Sequence, residues 1–111
     1  MVNASFGGQN GTVSGSCTGA YVPVLTIQGN GGLTGKTIFN IHRAVGTSIY
    51  YKIDAYLSTH PSAVAIAAKA QTSVTTDVLD TTSIVVPYAV IVVSVMNNVG
   101  SNTYQIDYMT Y

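Results

Sequence analysis

The side chains that could carry acid–base or metal chemistry are few in this chain and far apart. It contains four acidic residues, all of them aspartate, two histidines and one cysteine. A glycosidase needs a pair of carboxyl groups beside its substrate, a zinc site needs closely spaced ligands, and a serine hydrolase needs a nucleophile elbow. None of these patterns is present, so the sequence predicts no enzymatic activity, no metal site and no cofactor. The residues considered and set aside are Asp54, Asp77, Asp80, Asp107, His42 and His60.

A glycine-rich segment resembles part of a phosphate-binding loop. It runs into Gly35-Lys36-Thr37, which matches the end of the P-loop motif. The first glycine of that motif would fall at position 30, which is Asn30, and the residues after Thr37 favour a strand where a P-loop needs a helix. We therefore reject nucleotide binding and interpret the glycines as a turn.

Tyrosine is the most frequent large aromatic residue, with eight copies, whereas tryptophan is absent. Tyrosine is common where one end of a side chain is buried and the other is wet, as at protein interfaces. Three interpretations stay open: a subunit interface, ordinary strand residues at the edge of the core, and a platform for stacking sugars. The candidate interface residues are Tyr21, Tyr50, Tyr56, Tyr104, Tyr108 and Tyr111.

Residues 1–20 differ in composition from the rest of the chain. They contain five glycines and three serines, with Val2, Phe6 and Val13 as the apolar side chains of any size. Such a segment cannot bury enough surface to fold alone, so we predict a flexible or extended arm. Cys17 is the only cysteine, which leaves two alternatives: an inert thiol or a disulfide to another molecule.

Two positions in the arm match the acceptor pattern for N-glycosylation. These are Asn3, in Asn3-Ala4-Ser5, and Asn10, in Asn10-Gly11-Thr12. The pattern arises often by chance in a chain rich in asparagine, serine and threonine. It therefore predicts glycans only if the arm is exposed outside the cell.

The overall charge points to protein partners. Charged residues make up 7% of the chain and the formal net charge is zero, and a net charge near zero promotes association. The basic surface that nucleic-acid binding requires is absent, and no apolar stretch is long enough for a membrane helix. We expect the chain to associate with copies of itself, at the cell surface or outside the cell.

Residues 21–111 show the pattern of a β-sandwich that would position these side chains. Between Ser48 and Leu57, apolar and polar residues alternate with the period of two that a strand imposes. Segments of this kind recur with turn residues between them, which predicts an all-β, antiparallel β-sandwich of about eight strands, with the jelly roll as the best-fitting arrangement. The expected strands are 21–28, 36–44, 48–57, 63–70, 73–79, 84–86, 88–96 and 103–111. The alanines of 63–70 favour a helix by propensity, but the alternation of Val64 and Ile66 with alanine favours a strand, and Asp80-Thr81-Thr82 is expected to form a turn.

A glycine- and serine-rich arm with a cysteine, followed by such a domain, resembles the jelly-roll subunits of extracellular filaments, and bacterial endospore appendage subunits in particular. In that family an N-terminal connector carrying cysteines docks on other subunits. The resemblance implies that the arm around Cys17 has this role, although this chain has one cysteine where the family has several. Pairing of the arm with an open sheet edge would need no cysteine.

The function expected from these observations is that of a structural subunit of an extracellular filament or appendage, with the arm docking on neighbouring subunits. Two alternatives stay open. A viral capsid or tail β-sandwich protein would have the same composition, and a carbohydrate-binding module would use the tyrosines to bind glycans.

Overall fold

The computed structural model describes residues 2–5, 7–28, 34–45, 48–56, 65–74, 80–87 and 90–111. These residues form nine β-strands and, within the ranges just given, no helix. The strands are β1 (Val2–Ser5), β2 (Asn10–Ser16), β3 (Val22–Gln28), β4 (Thr34–Val45), β5 (Ser48–Tyr56), β6 (Ala65–Val74), β7 (Asp80–Pro87), β8 (Val90–Val99) and β9 (Thr103–Thr110).

The strands form two sheets. The larger sheet has five strands in the order β1-β3-β8-β5-β6, and the smaller sheet has four in the order β2-β9-β4-β7. The described strand pairs are antiparallel, except that β1 runs parallel to β3. The predicted all-β sandwich is therefore confirmed, with β1 as a short additional strand at one edge.

The core lies between the sheets and follows the alternation seen in the sequence. Along β5, Ile49, Tyr51 and Ile53 are fully buried, whereas the residues between them are only half-buried. This is the pattern of a strand with one face on the core. Further fully buried side chains come from both sheets: Leu25, Ile27, Ile91 and Val93 from the larger, and Phe39, Ile41 and Ile106 from the smaller.

The prediction of a central buried strand over 88–96 is confirmed by β8, which starts at Val90 within the described residues. It pairs with β3 on one side and β5 on the other. Ile91 and Val93 are fully buried, and Val95 is 1% exposed. The outer face of β8 is partly covered as well. Because both faces of the strand are shielded from water, both can carry apolar side chains.

From β2 onward the chain crosses between the sheets at every connection except the one from β5 to β6. In the smaller sheet the early strands β2 and β4 alternate with the late strands β9 and β7, and in the larger sheet the late strand β8 lies between β3 and β5. We interpret this order as the two Greek keys of a jelly roll.

Two expectations about single segments have different outcomes. The alanine-rich segment 63–70 was predicted as a strand despite its helix propensity, and β6 confirms this from Ala65 onward, because pairing with β5 outweighs propensity. The turn predicted at 80–82 is wrong, because those residues begin β7 and pair with β4. Asp80 is opposite Ile41, and Thr81 is opposite Asn40. The expected strand 73–79 lies outside the described residues beyond Val74.

Candidate functional site: the N-terminal strands and the sheet faces

Within the segment predicted to be an arm, residues 2–5 and 10–16 form β1 and β2, each of which is one of the two edge strands of its sheet. β1 lies at the edge of the larger sheet beside β3, and β2 lies at the edge of the smaller sheet beside β9. An edge strand presents unpaired backbone groups that can pair with another chain. Backbone groups of this segment therefore lie at one edge of each sheet, and β6 and β7 form the other two edges.

The inner face of β2 fits closely against β9. Gly11 lies opposite Tyr108 and Gly15 lies opposite Tyr104. A Cβ added at Gly11 would lie 2.7 Å from the Tyr108 hydroxyl oxygen, and one added at Gly15 would lie 3.0 Å from that of Tyr104. The tyrosine rings thus cover the two glycines, which is the close approach that glycine in a strand often marks.

Between the two glycines, Val13 anchors β2 in the core. It is 5% exposed and lies opposite Ile106, which is fully buried. On the outer face of the same strand, the Thr12 hydroxyl donates a hydrogen bond of 2.7 Å to the Asp107 carboxylate. β2 is therefore held by packing on one face and by a polar contact on the other.

β1 is held much less firmly. Of its four residues only Ala4 is buried, while Val2 is 39% exposed and Asn3 and Ser5 are exposed. A corner made of Ser5, Gly7, Gly8, Gln9 and Thr110 joins it to β2. The Thr110 hydroxyl donates to the Ser5 carbonyl at 2.9 Å and accepts from the Gln9 backbone N–H at 2.9 Å. The Ser5 backbone N–H also donates to the Gln9 side-chain oxygen at 2.8 Å, so hydrogen bonds of Thr110 and Gln9 together fix the corner.

Cys17 lies just after β2, where the turn between β8 and β9 holds it. Its backbone N–H donates to the Asn102 carbonyl at 2.8 Å, and the Asn97 side-chain amide donates to its carbonyl at 3.4 Å. Asn102 is 4% exposed, and its amide donates to the Val99 carbonyl at 2.9 Å. These asparagines anchor the end of the arm to the sandwich.

The Cys17 thiol is half-buried and packs against the core. Burial raises the pKa of this thiol, which lowers the fraction of reactive thiolate at neutral pH. Burial also raises the pKa of Tyr104, with a smaller contribution from the nearby Cys17. In this conformation the cysteine is placed for packing more than for reaction with another molecule.

Three of the candidate interface tyrosines belong to the outer face of the larger sheet. Tyr21 lies across this face, and its hydroxyl donates a hydrogen bond of 2.7 Å to Gln71 on β6. The Lys52 ammonium lies 4.9 Å from the centre of the Tyr21 ring, a cation–π contact. Tyr50 and Tyr56 are half-buried on β5 and follow the same alternation as Lys52.

Charge on this face is small and balanced. The Lys52 ammonium lies 3.7 Å from the Asp54 carboxylate, a partly exposed ion pair that contributes little to stability. The pKa of Tyr21 is raised by burial and, to a smaller extent, by the neighbouring Tyr50. The structure thus brings Tyr21 and Tyr50 together on one face, and places them away from the tyrosines that cover β2.

The outer face of the smaller sheet carries a shallow apolar hollow of about 150 Å³. Ile38 on β4 and Met109 on β9 lie opposite each other in it, and Tyr111 lies at its margin. Met109 is 44% exposed and Tyr111 is 56% exposed. This is a second surface at which a partner could bury apolar area.

The remaining predicted site residues have simple positions. Asn3 and Asn10 are exposed on β1 and β2, so both proposed glycosylation positions are accessible to solvent. Phe6, His60 and Asp77 lie outside the described residues, as does most of the glycine-rich segment before Lys36. In the part of the chain that the structure describes, no group of three or more potential metal ligands comes together. Among the residues that the structure describes, there is also no helix that is long and apolar enough to cross a membrane.

Sequence reasoning missed the contacts that fix the arm. The spacing of Gly11 and Gly15 around Val13, with a tyrosine at the matching spacing in β9, was a usable signal. The sequence did not reveal the roles of Thr110 and Asn102. Thr110 bonds to Ser5 at the other end of the chain, and Asn102 bonds to Val99 within an irregular turn.

Comparison with known proteins gives a fold likeness and no family. No family model matches the chain, and no curated protein matches it in sequence. Among solved structures, it is similar to one described as a Bacillus endospore appendage from a family of disulfide-linked pili, with a TM-score of 0.60 and 11% identity over 94% of this chain and 85% of the other. The architectural resemblance expected from the sequence is thus confirmed for the fold.

Two other structures share the fold. The pre-peptidase C-terminal domain of a collagenase from Bacillus anthracis has a TM-score of 0.59 and 11% identity over 96% of this chain and 91% of that one. A chain of infectious bursal disease virus, Gt strain, has a TM-score of 0.51 and 9% identity over 93% of this chain and 32% of the viral one. At such identities the likeness concerns the fold alone.

Proposed function

We propose that the chain is a non-enzymatic structural subunit that assembles with copies of itself into an extracellular filament or appendage. In this proposal residues 1–20 form the arm that docks on neighbouring subunits. The observation that carries it is the position of the arm, whose strands occupy an edge of each sheet. Edge strands offer main-chain hydrogen bonds that a second copy can use without any change of fold.

Three further observations support self-association. The formal net charge is zero, so copies do not repel one another strongly. Apolar side chains of Met109 and Tyr111 are exposed beside each other on the smaller sheet. The fold is shared with a subunit of a Bacillus pilus. The proposed partner is therefore another copy of the chain, and the proposed location is outside the cell or on its surface.

The cysteine has a minor part in this proposal. Because Cys17 is half-buried with a raised pKa, docking by main-chain pairing is favoured over docking by a disulfide. The variant Cys17→Ser should therefore assemble as the unmodified chain does. Loss of assembly in Cys17→Ser would instead favour a disulfide-linked polymer.

The role of the arm can be tested by shortening it. Deleting residues 2–5 removes β1 but leaves Val13 and the contacts of β2 in place. We expect this variant to keep its β-sheet circular dichroism and to lose assembly, as measured by sedimentation and negative-stain microscopy. Assembly that survives the deletion unchanged would show that β1 is not needed for docking.

A viral capsid or tail protein is the second candidate, and the fold shared with a virus chain favours it. Such a protein would form closed shells or tail structures, so the shape seen by microscopy separates it from a filament subunit.

A carbohydrate-binding module is a weaker candidate. The Tyr21 ring already contacts Lys52, which leaves less of it for stacking on a sugar. A glycan array with binding that Tyr50→Ala abolishes would favour this function.

A further inference from the structure

The two strands of the arm are attached with different strength. Seven residues of β2 pair with β9, Val13 is buried, and tyrosine rings cover two glycines of the strand. Only four residues of β1 pair with β3, and of these only Ala4 is buried. Because buried apolar area sets most of the cost of detaching an element, β1 can leave its sheet at far lower cost than β2.

The corner between the two strands contains two consecutive glycines with positive φ. Gly7 has a φ of 113° and Gly8 a φ of 89°, a region that other residues rarely adopt. No atom lies within 4 Å of a Cβ placed at either glycine, so no neighbouring side chain packs against the corner there. The corner is held by hydrogen bonds of the Thr110 hydroxyl with Ser5 and Gln9 and by the bond from the Ser5 N–H to the Gln9 side chain, and water can satisfy these polar groups when the corner opens.

Departure of β1 would uncover the edge of β3. The β3 residues opposite β1 run from Leu25 to Gln28, and their freed backbone groups would present an edge that favours pairing with another strand. A copy of β1 from a second molecule would restore the same hydrogen bonds and bury the same Ala4 side chain. Exchange of an identical element in this way costs little at equilibrium.

We propose that β1 is the exchanged element of the arm: residues 2–5 of one copy pair with β3 of the next, while β2 stays on its own β9. This inference rests on the proposed self-assembly and assigns it to one strand, one hinge and one acceptor edge. Four residues separate Ser5 from Asn10. Ser5 and Asn10 are therefore five Cα–Cα steps apart, which span at most about 17–18 Å when fully extended, so the acceptor edge must lie within that distance of Asn10, the first residue of β2.

Thiol cross-linking tests the exchange in the full chain. Ser5 and Gln28 are opposite each other and exposed, so each can be replaced singly by cysteine in a Cys17→Ser background. Equal amounts of the Ser5→Cys and Gln28→Cys proteins are mixed, assembled and treated with a short bifunctional thiol reagent. We expect a covalent dimer that each protein alone does not form. A mixture of Gly19→Cys with Gln28→Cys is the control for random contact.

The double variant Ser5→Cys/Gln28→Cys distinguishes exchange of β1 from self-assembly by another contact. If it assembles and its cross-links stay within monomers, the exchange is wrong and self-assembly stands. If the unmodified chain and the single variants never assemble, the proposed function fails as well. A ladder of covalent oligomers is the result that the exchange requires.

The hinge offers a second, independent test. Alanine at Gly8 is strained in the closed corner but not in an extended chain, so Gly8→Ala should raise the cross-linked fraction about fivefold or more. The matched control is Gly19→Ala, since a Cβ at Gly19 also meets nothing within 4 Å and Gly19 has no positive φ. An equal yield in both variants, or a lower one in Gly8→Ala, would overturn the hinge.

Discussion

Alanine at Gly15 should destabilise the attachment of β2, although the same change normally stabilises a strand. An added Cβ would lie 3.0 Å from the hydroxyl oxygen of Tyr104 and 3.3 Å from two carbons of its ring. Tyr104 is 6% exposed, so its ring cannot swing into solvent to make room. The contact must be relieved by shifts of the two paired strands or of the ring within the core.

The magnitude follows from two opposing effects. Overpacking a well-filled site costs about 1–3 kcal/mol, and the lost backbone freedom of glycine in the unfolded state returns about 0.4–1 kcal/mol. We therefore expect Gly15→Ala to lower the free energy of unfolding by about 0.5–2 kcal/mol. With a urea m-value of about 1–3 kcal/mol/M, the midpoint should fall by on the order of 0.5 M.

Urea unfolding followed by far-ultraviolet circular dichroism measures this change, and Gly19→Ala is the matched control. A Cβ at Gly19 meets no atom within 4 Å, so only the entropic gain applies and the midpoint should rise slightly. Equal stabilisation of the Gly15 and Gly19 variants would refute the close contact between β2 and Tyr104. A midpoint that falls only for Gly15→Ala supports it.

Two further predictions concern the turn that anchors the end of the arm. Asn102→Ala removes the side-chain amide that donates to the Val99 carbonyl. This change should lower the free energy of unfolding, measured by thermal denaturation, by about 1–3 kcal/mol. The control Ser101→Ala, at the exposed neighbouring residue, should leave the free energy of unfolding nearly unchanged. Burial raises the pKa of Cys17, so the native state keeps a proton that the unfolded chain loses. Stability should therefore fall as the pH rises above about 8.5, and Cys17→Ser should flatten the first part of that decline in urea titrations across pH. An unchanged slope in Cys17→Ser would contradict the assignment.

The sheets were predictable from sequence wherever local pattern and tertiary burial agree. The alternation in β5 is strict because its inner face, including Ile53, contributes to the core. The apolar run of β8 reflects a strand with neighbours on both sides. The turn expected at Asp80 failed because aspartate and threonine favour turns locally, whereas the long β4 provides a pairing partner for them.

The arm was harder to predict, because its structure depends on partners at the other end of the chain. Its composition predicts that it cannot fold alone, and in the structure β2 pairs with β9, the last strand. The interaction of Thr110 with Ser5 joins the two ends of the sequence, and no local pattern signals such a contact. The tyrosines illustrate the same limit, since Tyr104 is buried while Tyr111 is exposed, and composition alone does not separate the two.

The central claim is that this chain assembles with copies of itself through its N-terminal strand. The most direct measurement is sedimentation velocity of the unmodified chain at rising concentration, followed by negative-stain microscopy of the fastest-sedimenting fraction. We expect growth into ordered filaments of one repeating subunit. A stable monomer at high concentration, with residues 1–20 intact, would contradict it.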